Sequence, residues 1–478
     1  MESAQQKTGQ VDLKSSHAQI AALAKQGKLA EAEQACRELL DQNPGEPDTL
    51  TLLASLCFQA GDPKEAETLF RHVVELVPTR PLTWLNLAQF YQKTNRWADA
   101  QATYENGLDA LPAAPELHFN LGQIYQRAAT FDKAEACYRQ VITTAPDHAP
   151  SWMRLGMTLL RQDKLDEAAA ALQKAISLNP ELAAAHGNLG NVYQKQDKKD
   201  EAEAAYDKAV SLNPKDAQSH VSLGLMKLRR GAAMDAAEIF ERTLSLMGPE
   251  RRAAAWLPFA QAESLGQMPG GTRAAMAKLI HRAHLAAPEG YANVAALNAD
   301  LVRALSEEPS VWEPAGKATR SGSQTGLLLD NPREPYLSFV KSLRAAIDAR
   351  FDMLEKQPGH PFLGQIPKTY QLDLWGTLLT EGGHQHAHIH VAGWMSGVYY
   401  VSLPQTMGDG SETKDGWIEF GHPPPDFTPS FDPHTLTFEP KEGDALFFPS
   451  YLFHRTLPFQ GTDKRISLAF DVKPTSWR

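Results

Sequence analysis

Apolar and polar positions in the first half of the chain repeat every 34 residues. Prolines mark the period and recur in register at Pro44, Pro78, Pro112, Pro146, Pro180 and Pro214. The apolar residues of each period form two blocks at helical spacing, which predicts two amphipathic helices per unit. The proline follows the second helix and ends it, because proline cannot continue a helix.

Three further columns with the same period indicate how the helices pack. An alanine column keeps the second helix thin: Ala32, Ala66, Ala100, Ala134, Ala168, Ala202 and Ala236. A bulky column fills the resulting gap: Cys36, Phe70, Tyr104, Tyr138, Leu172, Tyr206 and Phe240. A small column lets the first helix approach the second: Ala54, Ala88, Gly122, Gly156, Gly190 and Gly224. One helix pair cannot bury its apolar face alone, so stacked neighbours complete the core.

This pattern resembles a tetratricopeptide-repeat array, and "WLNLAQFYQKTNRWADAQATYENGLDALP" carries the family pattern nearly whole. The resemblance implies an all-α superhelical solenoid of about seven repeats over residues 13–250, whose concave surface binds peptides or other protein segments. Asn86, Asn120 and Asn188 occupy a column that in some such arrays holds a peptide main chain. An amide suits that task because it offers a donor and an acceptor. The alternative is that these asparagines are solvated residues of an exposed groove.

The 34-residue period stops after Pro249. Two helices, "RRAAAWLPFAQAESLGQ" and "TRAAMAKLIHRAHLA", are predicted to cap the array and form a connection over residues 251–285. The segment "SEEPSVWEPAGKATRSGSQTGLLLDNPREP" is rich in Pro, Gly and Ser and predicts an irregular connection. The next segment, "PYLSFVKSLRAAIDARFDMLEKQ", has apolar residues at helical spacing and predicts a helix.

From Pro367 onward the pattern becomes that of short strands, such as "TYQLDLWGTLL", "DALFFPS" and "RISLAFDV", separated by Gly, Pro and Asp turns. Several short strands without intervening helices indicate a sandwich or barrel such as a jelly roll. We therefore expect a multidomain chain whose third part, residues 286–478, is a β-rich domain with flanking helices. A length of 478 residues agrees, since it exceeds what one core usually supports.

Composition argues against several classes of function. The formal net charge of −10 disfavours nucleic acid and anionic membranes as partners. We see no segment near the ~18 apolar residues that span a bilayer, and the start, "MESAQQKTGQVDLKSS", lacks an apolar signal core. Three cysteines without paired spacing, Cys36, Cys57 and Cys137, indicate a reducing compartment. We therefore expect a cytoplasmic protein.

Candidate chemistry lies in the β-rich part. Four histidines alternate in "HQHAHIH" and so share one face of an extended segment: His384, His386, His388 and His390. Two histidines at i and i+2 can bind one ion side by side, and His454 in "FPSYLFHRTLPF" is the natural third ligand. Imidazole alone does not select among Fe, Zn, Cu and Ni. Arg465 and Ser467 share a strand face, and an arginine fork with a hydroxyl suits a carboxylate.

Together "HIH", "SGVYYV", "FPSYLFH" and "RISLAF" resemble a group of 2-oxoglutarate-dependent iron(II) oxygenases, over about the last 110 residues. The resemblance implies a double-stranded β-helix (jelly roll) that uses Fe(II), 2-oxoglutarate and O₂ to hydroxylate a C–H bond, with succinate and CO₂ as by-products. It places the iron ligands on His388, His390 and His454, and the distal carboxylate of 2-oxoglutarate on Arg465 and Ser467. Tyr399 is a further candidate for hydrogen bonding to the co-substrate.

One departure from that family leaves alternatives open. Most of the superfamily has a carboxylate ligand where this chain has His390. Either three imidazoles bind the iron, or two suffice with water. Asp373 and Glu381 are alternative ligands, and His386 with His388 is an alternative pair.

The favoured function is hydroxylation of a protein or peptide held by the repeat groove, because so long a groove exceeds the needs of a small metabolite. One alternative is a repeat scaffold whose barrel has lost catalysis, which the missing carboxylate favours. The other is a zinc or cupin-type site acting on a small molecule, which would not need Arg465.

Overall fold

The structure, a computed structural model, describes residues 13–405, 407 and 413–478. It divides into two compact units, one ending at Leu212 and the other beginning at Asn213. The sequence-based domain boundaries at residues 250 and 285 stay predictions.

The first unit is built from paired helices, as the 34-residue pattern predicts. They are α1 Leu13–Lys25, α2 Leu29–Gln42, α3 Pro47–Ala60, α4 Pro63–Leu76, α5 Pro81–Lys93, α6 Trp97–Ala110, α7 Pro115–Arg127, α8 Phe131–Thr144, α9 Ala149–Arg161, α10 Leu165–Leu178, α11 Ala183–Lys195 and α12 Lys199–Leu212. One apolar cluster runs through this unit from Ile20 to Val192. A continuous core of this kind is how stacked repeats bury faces that no single pair can bury, and the predicted helical solenoid is confirmed.

Glycines of the small column allow close contact between the two helices of a repeat. A Cβ atom at Gly122 would lie 2.7 Å from Cε1 of Tyr138, and one at Gly190 would lie 2.7 Å from Cδ1 of Tyr206. Real Cβ atoms do not approach other atoms so closely, so Tyr138 and Tyr206 as placed need glycine opposite them.

The turn between the helices of each repeat contains one residue with a positive φ. These residues are 34 positions apart in the chain: Gly27, Gly61, Asn95, Ala129, Asp163, Asp197 and Gly231. Glycine, asparagine and aspartate adopt this region with little strain. Ala129, at φ 55°, is the departure from that rule.

Each repeat proline in the middle of the array also accepts a hydrogen bond from a ring nitrogen six residues later. The pairs are Trp84 to Pro78 (2.8 Å), His118 to Pro112 (2.9 Å), Trp152 to Pro146 (2.8 Å) and His186 to Pro180 (3.0 Å). Both tryptophan and histidine serve in this column because both offer a ring N–H, and His220 makes the same contact with Pro214 (3.1 Å). The bond connects the end of one repeat to the first helix of the next.

The second unit begins with helices that continue the repeat pattern. Its helices are α13 Ala217–Arg229, α14 Ala233–Met247, α15 Arg251–Leu265, α16 Thr272–Leu279, α17 Val294–Glu307 and α18 Tyr336–Asp352. A Cβ atom at Gly224 of α13 would lie 2.5 Å from Cε1 of Phe240 in α14, the same close contact as in the first unit.

The strands of the second unit form one antiparallel sheet. They are β1 His281–His284, β2 Ser310–Trp312, β3 Thr319–Thr325, β4 Pro367–His388, β5 Met395–Ser402, β6 Ile418–Phe420, β7 Leu436–Phe438, β8 Asp444–Pro449, β9 His454–Thr456 and β10 Arg465–Trp477. The order is β1-β8-β5-β10-β4-β9-β6-β7, with β3 beside β4 and β2 beside β3. This curled antiparallel sheet confirms the predicted jelly roll.

Alternation along β10 separates the two faces of the sheet. Ile466, Leu468, Phe470 and Val472 point into an apolar cluster that includes side chains of α17 and α18. Arg465, Ser467, Ala469 and Asp471 line a cavity on the opposite face. Period two of the strand therefore assigns one face to the core and the other to polar chemistry.

Two local predictions are wrong. The second capping helix was expected through residue 286, but α16 ends at Leu279, and His281–His284 form β1 because they pair with β8. The segment expected to be an irregular connection contains β2 and β3, which pair with each other, and β3 also pairs with β4. In both places, pairing with a distant strand prevails over local composition.

Candidate metal centre and carboxylate pocket

Three histidines from two neighbouring strands come together at the cavity. His388 ends β4 and His454 begins β9, and the two are directly paired in the strand register. His390 follows two residues after His388. One ring nitrogen from each histidine lies within 4.8 Å of those of the other two. The ring centroids are 4.3 Å apart for His388 and His454, and 5.1 Å apart for His390 and His454.

Hydrogen bonds fix the same tautomer in all three rings. Nδ1 of His388 lies 2.7 Å from the carbonyl oxygen of His386, and Nδ1 of His454 lies 3.0 Å from that of Leu452. Nδ1 of His390 lies 2.6 Å from a carboxylate oxygen of Asp471. Each partner only accepts, so Nδ1 carries the hydrogen in each ring, and Nε2 is the atom left to bind a metal. This is the form in which imidazole binds metal.

Burial disfavours the charged form of two of these imidazoles, His388 and His454. Desolvation, with the neighbouring His390, lowers the pKa of His388 to about 3. Desolvation, with His388 and His390, holds the pKa of His454 well below its ordinary value. Protons therefore do not compete for the Nε2 atoms of His388 and His454 near neutral pH.

Asp471 supports the histidine group from behind. It is 6 % exposed, and its Oδ1 also accepts a hydrogen bond of 2.6 Å from Ser396. Burial raises the pKa of this carboxyl, but the charge of His390 and the hydrogen bonds from His390 and Ser396 outweigh it and hold the pKa below its ordinary value. Asp471 is thus placed to orient His390 and to bring negative charge close to it.

The cavity in front of the histidines has a volume of about 320 Å³, and Arg465 lies in its wall. Arg465 is 1 % exposed, and its Nε has no hydrogen-bond partner among the described residues. Its Nη1 donates a long bond of 3.4 Å to Ser467, and burial lowers its pKa. A buried guanidinium without an acidic partner is costly, so this position calls for an anion.

Two further buried hydroxyl groups surround Ser467. Thr377 on β4 and Tyr400 on β5 both stand directly opposite Ser467 in the strand register. Neither hydroxyl has a hydrogen-bond partner within the described part of the chain. Burial, opposed by Arg465, raises the pKa of Tyr400 to about 12, so its phenol stays a donor. Arg465, Ser467, Thr377 and Tyr400 together offer donors suited to a carboxylate.

Models of known families match the repeat-containing part of the chain and its β-rich part separately. Residues 373–471 match a family described as "Putative 2OG-Fe(II) oxygenase". Residues 23–81 match the family "Tetratricopeptide repeat", and residues 79–290 match "Cilia and flagella-associated protein 70 C-terminal domain".

The chain joins tetratricopeptide repeats to a C-terminal domain that matches the model of a 2OG-Fe(II) oxygenase family.

Solved structures similar to the chain include repeat proteins. A crystal structure of MamA is 26 % identical, over 33 % of this chain and 93 % of that one, with a TM-score of 0.32. "YrrB: a TPR protein with an unusual peptide-binding site" is 18 % identical, over 39 % and 96 %, with a TM-score of 0.34. MamA from Desulfovibrio magneticus RS-1 is 19 % identical, over 36 % and 96 %, with a TM-score of 0.33. No curated protein matches the chain.

The oxygenase-family domain places Tyr399 away from the cavity. Its hydroxyl donates a hydrogen bond of 2.6 Å to the side chain of Asn298 in α17, and its ring lies 4.8 Å from that of Phe339 in α18. Tyr399 is therefore part of the helix-covered core, and its neighbour Tyr400 faces Arg465. Of the two adjacent tyrosines, Tyr400 is thus the one beside Arg465.

The alternative ligands lie apart from the histidine group. Asp373 forms an ion pair of 2.5 Å with Lys473, and Glu381 is exposed. His384 and His386 contact each other, with ring centroids 4.9 Å apart, and line a separate pocket. The structure therefore groups His388 and His390 with His454, in the register favoured by the sequence.

Sequence reasoning missed Asp471, Thr377 and Tyr400. For Asp471 a signal was present, because it follows Arg465 and Ser467 on the same face at period two in "RISLAFDV". Thr377 and Tyr400 carried no local signal, since their position depends on the pairing of three strands.

The asparagine column lies on first helices of the repeats: Asn86 on α5, Asn120 on α7 and Asn188 on α11. All three are half-buried. Asn120 donates its amide to the carbonyl of Glu116 (2.8 Å), and Asn188 donates to that of Ala184 (2.7 Å). These bonds hold the amide groups in place and leave their oxygens as acceptors.

No helix in the described residues is long and apolar enough to cross a bilayer.

Proposed function

We propose that this protein is an Fe(II)- and 2-oxoglutarate-dependent oxygenase that hydroxylates a protein or peptide substrate. One observation carries the proposal: Arg465, a buried guanidinium without an acidic partner among the described residues, shares a cavity with three convergent imidazoles. A metal alone would need the imidazoles. Only an anionic co-substrate explains Arg465 as well.

The residues fit both groups. His388, His390 and His454 hold Fe(II) through Nε2. Arg465, Ser467, Thr377 and Tyr400 take the distal carboxylate of 2-oxoglutarate. With these groups bound, the chemistry supplied is the insertion of one oxygen atom of O₂ into a C–H bond, while 2-oxoglutarate takes the other and leaves as succinate and CO₂. The protein residues orient the co-substrate and keep the site partly enclosed.

Asp471 accounts for the unusual ligand set. Most of the superfamily has a carboxylate ligand at the position of His390, which lowers the charge at the iron. Here a carboxylate lies one hydrogen bond behind the imidazole. Such a partner raises the basicity of a ligating histidine, so a three-histidine site keeps nearby negative charge.

The substrate class follows from the repeats. Tetratricopeptide repeats are recognition modules, and Asn86, Asn120 and Asn188 recur on their first helices. An amide column at a fixed period suits a peptide main chain, which also offers donors and acceptors at regular spacing. We infer a protein partner, and neither nucleic acid nor membrane. Three free buried cysteines support a cytoplasmic location.

A scaffold with an inactive barrel is the alternative function, and the absence of a ligating carboxylate favours it. Arg465 argues against it. A buried arginine without an acidic partner among the described residues destabilises the fold, and a scaffold has no use for it.

The test is succinate formation by the full chain with Fe(II), 2-oxoglutarate and protein fractions, together with anaerobic 2-oxoglutarate binding. Arg465→Met should abolish both. Arg350→Met is the matched control, since Arg350 is also a buried arginine but lies in α18 and donates to the carbonyl of Leu279. Turnover that does not need 2-oxoglutarate would contradict the proposal.

A further inference from the structure

Helix α15, which follows the last repeat helices, packs aromatic side chains against the segment that leads into His454. The ring of Trp256 lies 5.1 Å from that of Phe453 and 5.3 Å from that of Phe427. Phe259, one turn further along α15, lies 5.8 Å from Phe453. Trp256, Phe259 and Phe453 are each no more than 6 % exposed. The contact is therefore dry and tightly packed.

Each of the two segments that carry the candidate ligands contributes a neighbouring residue to one apolar cluster. Phe453 immediately precedes His454, and Ile389 stands between His388 and His390. Phe453 and Ile389 belong to one apolar cluster with Trp256. The three imidazoles line the cavity, while Phe453 packs on α15 and Ile389 packs against the same apolar cluster.

The loop between β6 and β7 is attached to the same helices. Arg229 of α13 forms an ion pair with Asp426. Glu263 of α15 accepts hydrogen bonds from Ser430, 2.7 Å from its backbone nitrogen and 2.6 Å from its hydroxyl. The backbone nitrogen of Gly421, at the start of the loop, donates a bond of 2.9 Å to the carbonyl oxygen of Phe453. The attachment thus surrounds the segment before His454.

The cluster extends into the helices that carry the repeat pattern. Val221 and Leu228 of α13, and Ala236 and Phe240 of α14, belong to it together with Trp256. The same packed interior therefore holds the last repeat and the rear of the metal ligands.

We propose that Trp256 is a positioning residue for the metal centre: packed on Phe453, and in one cluster with Ile389, it sets the placement of the three imidazoles. The inference rests on the proposed function for the identity of the metal, but concerns the geometry of the ligands themselves. A packed core shifts between discrete arrangements and does not deform smoothly. Loss of the indole would therefore move His454 relative to His388 and His390, and misplacement by about 1 Å is enough to cost ~100-fold in function.

The test uses the full chain loaded anaerobically with Co(II), whose visible absorption reports the ligand geometry, and then with Fe(II). Trp256→Leu should weaken metal binding by about 10-fold or more and change the Co(II) spectrum, while Trp256→Phe restores most of both. Phe240→Leu is the matched control, since Phe240 belongs to the same cluster but faces Gly224 of α13. It should lower Tm without altering the spectrum.

Wild-type affinity and an unchanged spectrum in Trp256→Leu would overturn the inference. So would equal effects of Trp256→Leu and Phe240→Leu. If the leucine variant does not fold, Phe453→Leu and Trp256→Phe provide the same comparison. Co(II) binding that His454→Ala leaves unchanged would overturn the proposed function as well. If the Co(II) spectrum changes in Trp256→Leu but the wild-type protein shows no turnover of 2-oxoglutarate, only the proposed function is overturned.

Discussion

Nδ1 of His390 lies 2.6 Å from Oδ1 of Asp471, so the carboxylate is connected to the candidate metal centre through an imidazole. Ser396 fixes the same oxygen from another strand. The negative charge that many oxygenases of this kind place directly on the metal is here held one hydrogen bond away. His390 keeps one tautomer as a result, with Nε2 directed to its two neighbours.

Asp471→Asn should weaken Fe(II) binding by about 10- to 100-fold, the usual cost of removing a carboxylate that orients a ligating histidine. Asparagine keeps the shape but removes the charge. Competition with a chelator of known affinity measures the change. Asp373→Asn is the control, because Asp373 stands opposite Asp471 in the strand register but is paired with Lys473. Equal affinities of the two variants would contradict the role of Asp471.

Metal should stabilise the protein through His388, His390 and His454. His384 and His386 should not contribute to this effect. Anaerobic Fe(II) at 100 times its dissociation constant should raise the free energy of unfolding of the metal-binding unit by about 2.7 kcal/mol. His454→Ala should remove this effect, whereas His384→Ala should retain it, because His384 lies apart from the group. Thermal unfolding with and without metal measures both. A loss in His384→Ala would indicate the other register.

The two adjacent tyrosines should separate co-substrate binding from stability. Tyr400→Phe should weaken 2-oxoglutarate binding several-fold, since one hydrogen bond contributes about 0.5–1.5 kcal/mol. Tyr399→Phe should leave binding unchanged but lower stability by ~1–3 kcal/mol, because it leaves buried Asn298 unpaired. Titration calorimetry and thermal unfolding measure the two effects. The opposite pattern would return the co-substrate role to Tyr399.

Gly190→Ala should destabilise the repeats by about 1–3 kcal/mol, the usual cost of overpacking. The added Cβ would meet the ring of Tyr206 at 2.7 Å. Gly45→Ala is the control, because nothing lies within 4 Å of its new Cβ. Urea unfolding followed by circular dichroism measures the difference. Similar urea midpoints for the two variants would show that the helices can move apart to accommodate the added methyl group.

Trp152→His should be tolerated better than Trp152→Phe, by about 0.5–1 kcal/mol. Both changes shrink the ring, but only histidine keeps an N–H for the carbonyl of Pro146. His118 and His186 already make this bond at equivalent positions. If histidine is as costly as phenylalanine in urea unfolding, the column serves packing alone.

Periodic features of the chain were predictable from sequence. The 34-residue columns place Gly190 against Tyr206 because helix packing repeats with the chain. His388 and His390 in "HIH" are likewise placed together by periodicity, because residues i and i+2 of an extended segment share one face. His454 was recognisable from its motif, and its direct pairing with His388 follows from the strand register.

Features set by pairing between distant segments were not predictable. Tyr399 and Tyr400 differ by one position, and a shift of one residue moves a side chain to the other face of a sheet. The sequence pattern of His281–His284 favours a helix, but these residues form a strand because β8 pairs with them. Strand β3 was hidden by its serine and glycine content, although it completes the sheet beside β4.

The shared cluster of α13, α14, α15 and the jelly roll limits how this protein can be recombined. A chimera that exchanges repeats before Asn213 keeps every contact of that cluster, because residues 213–478 are one compact unit. A fragment starting at residue 286 would instead expose Phe427, Phe431 and Phe453 to water. A contiguous aromatic patch of this kind favours aggregation. A fragment that carries the β-rich domain should therefore begin within the solenoid, at Asn213, and not at residue 286.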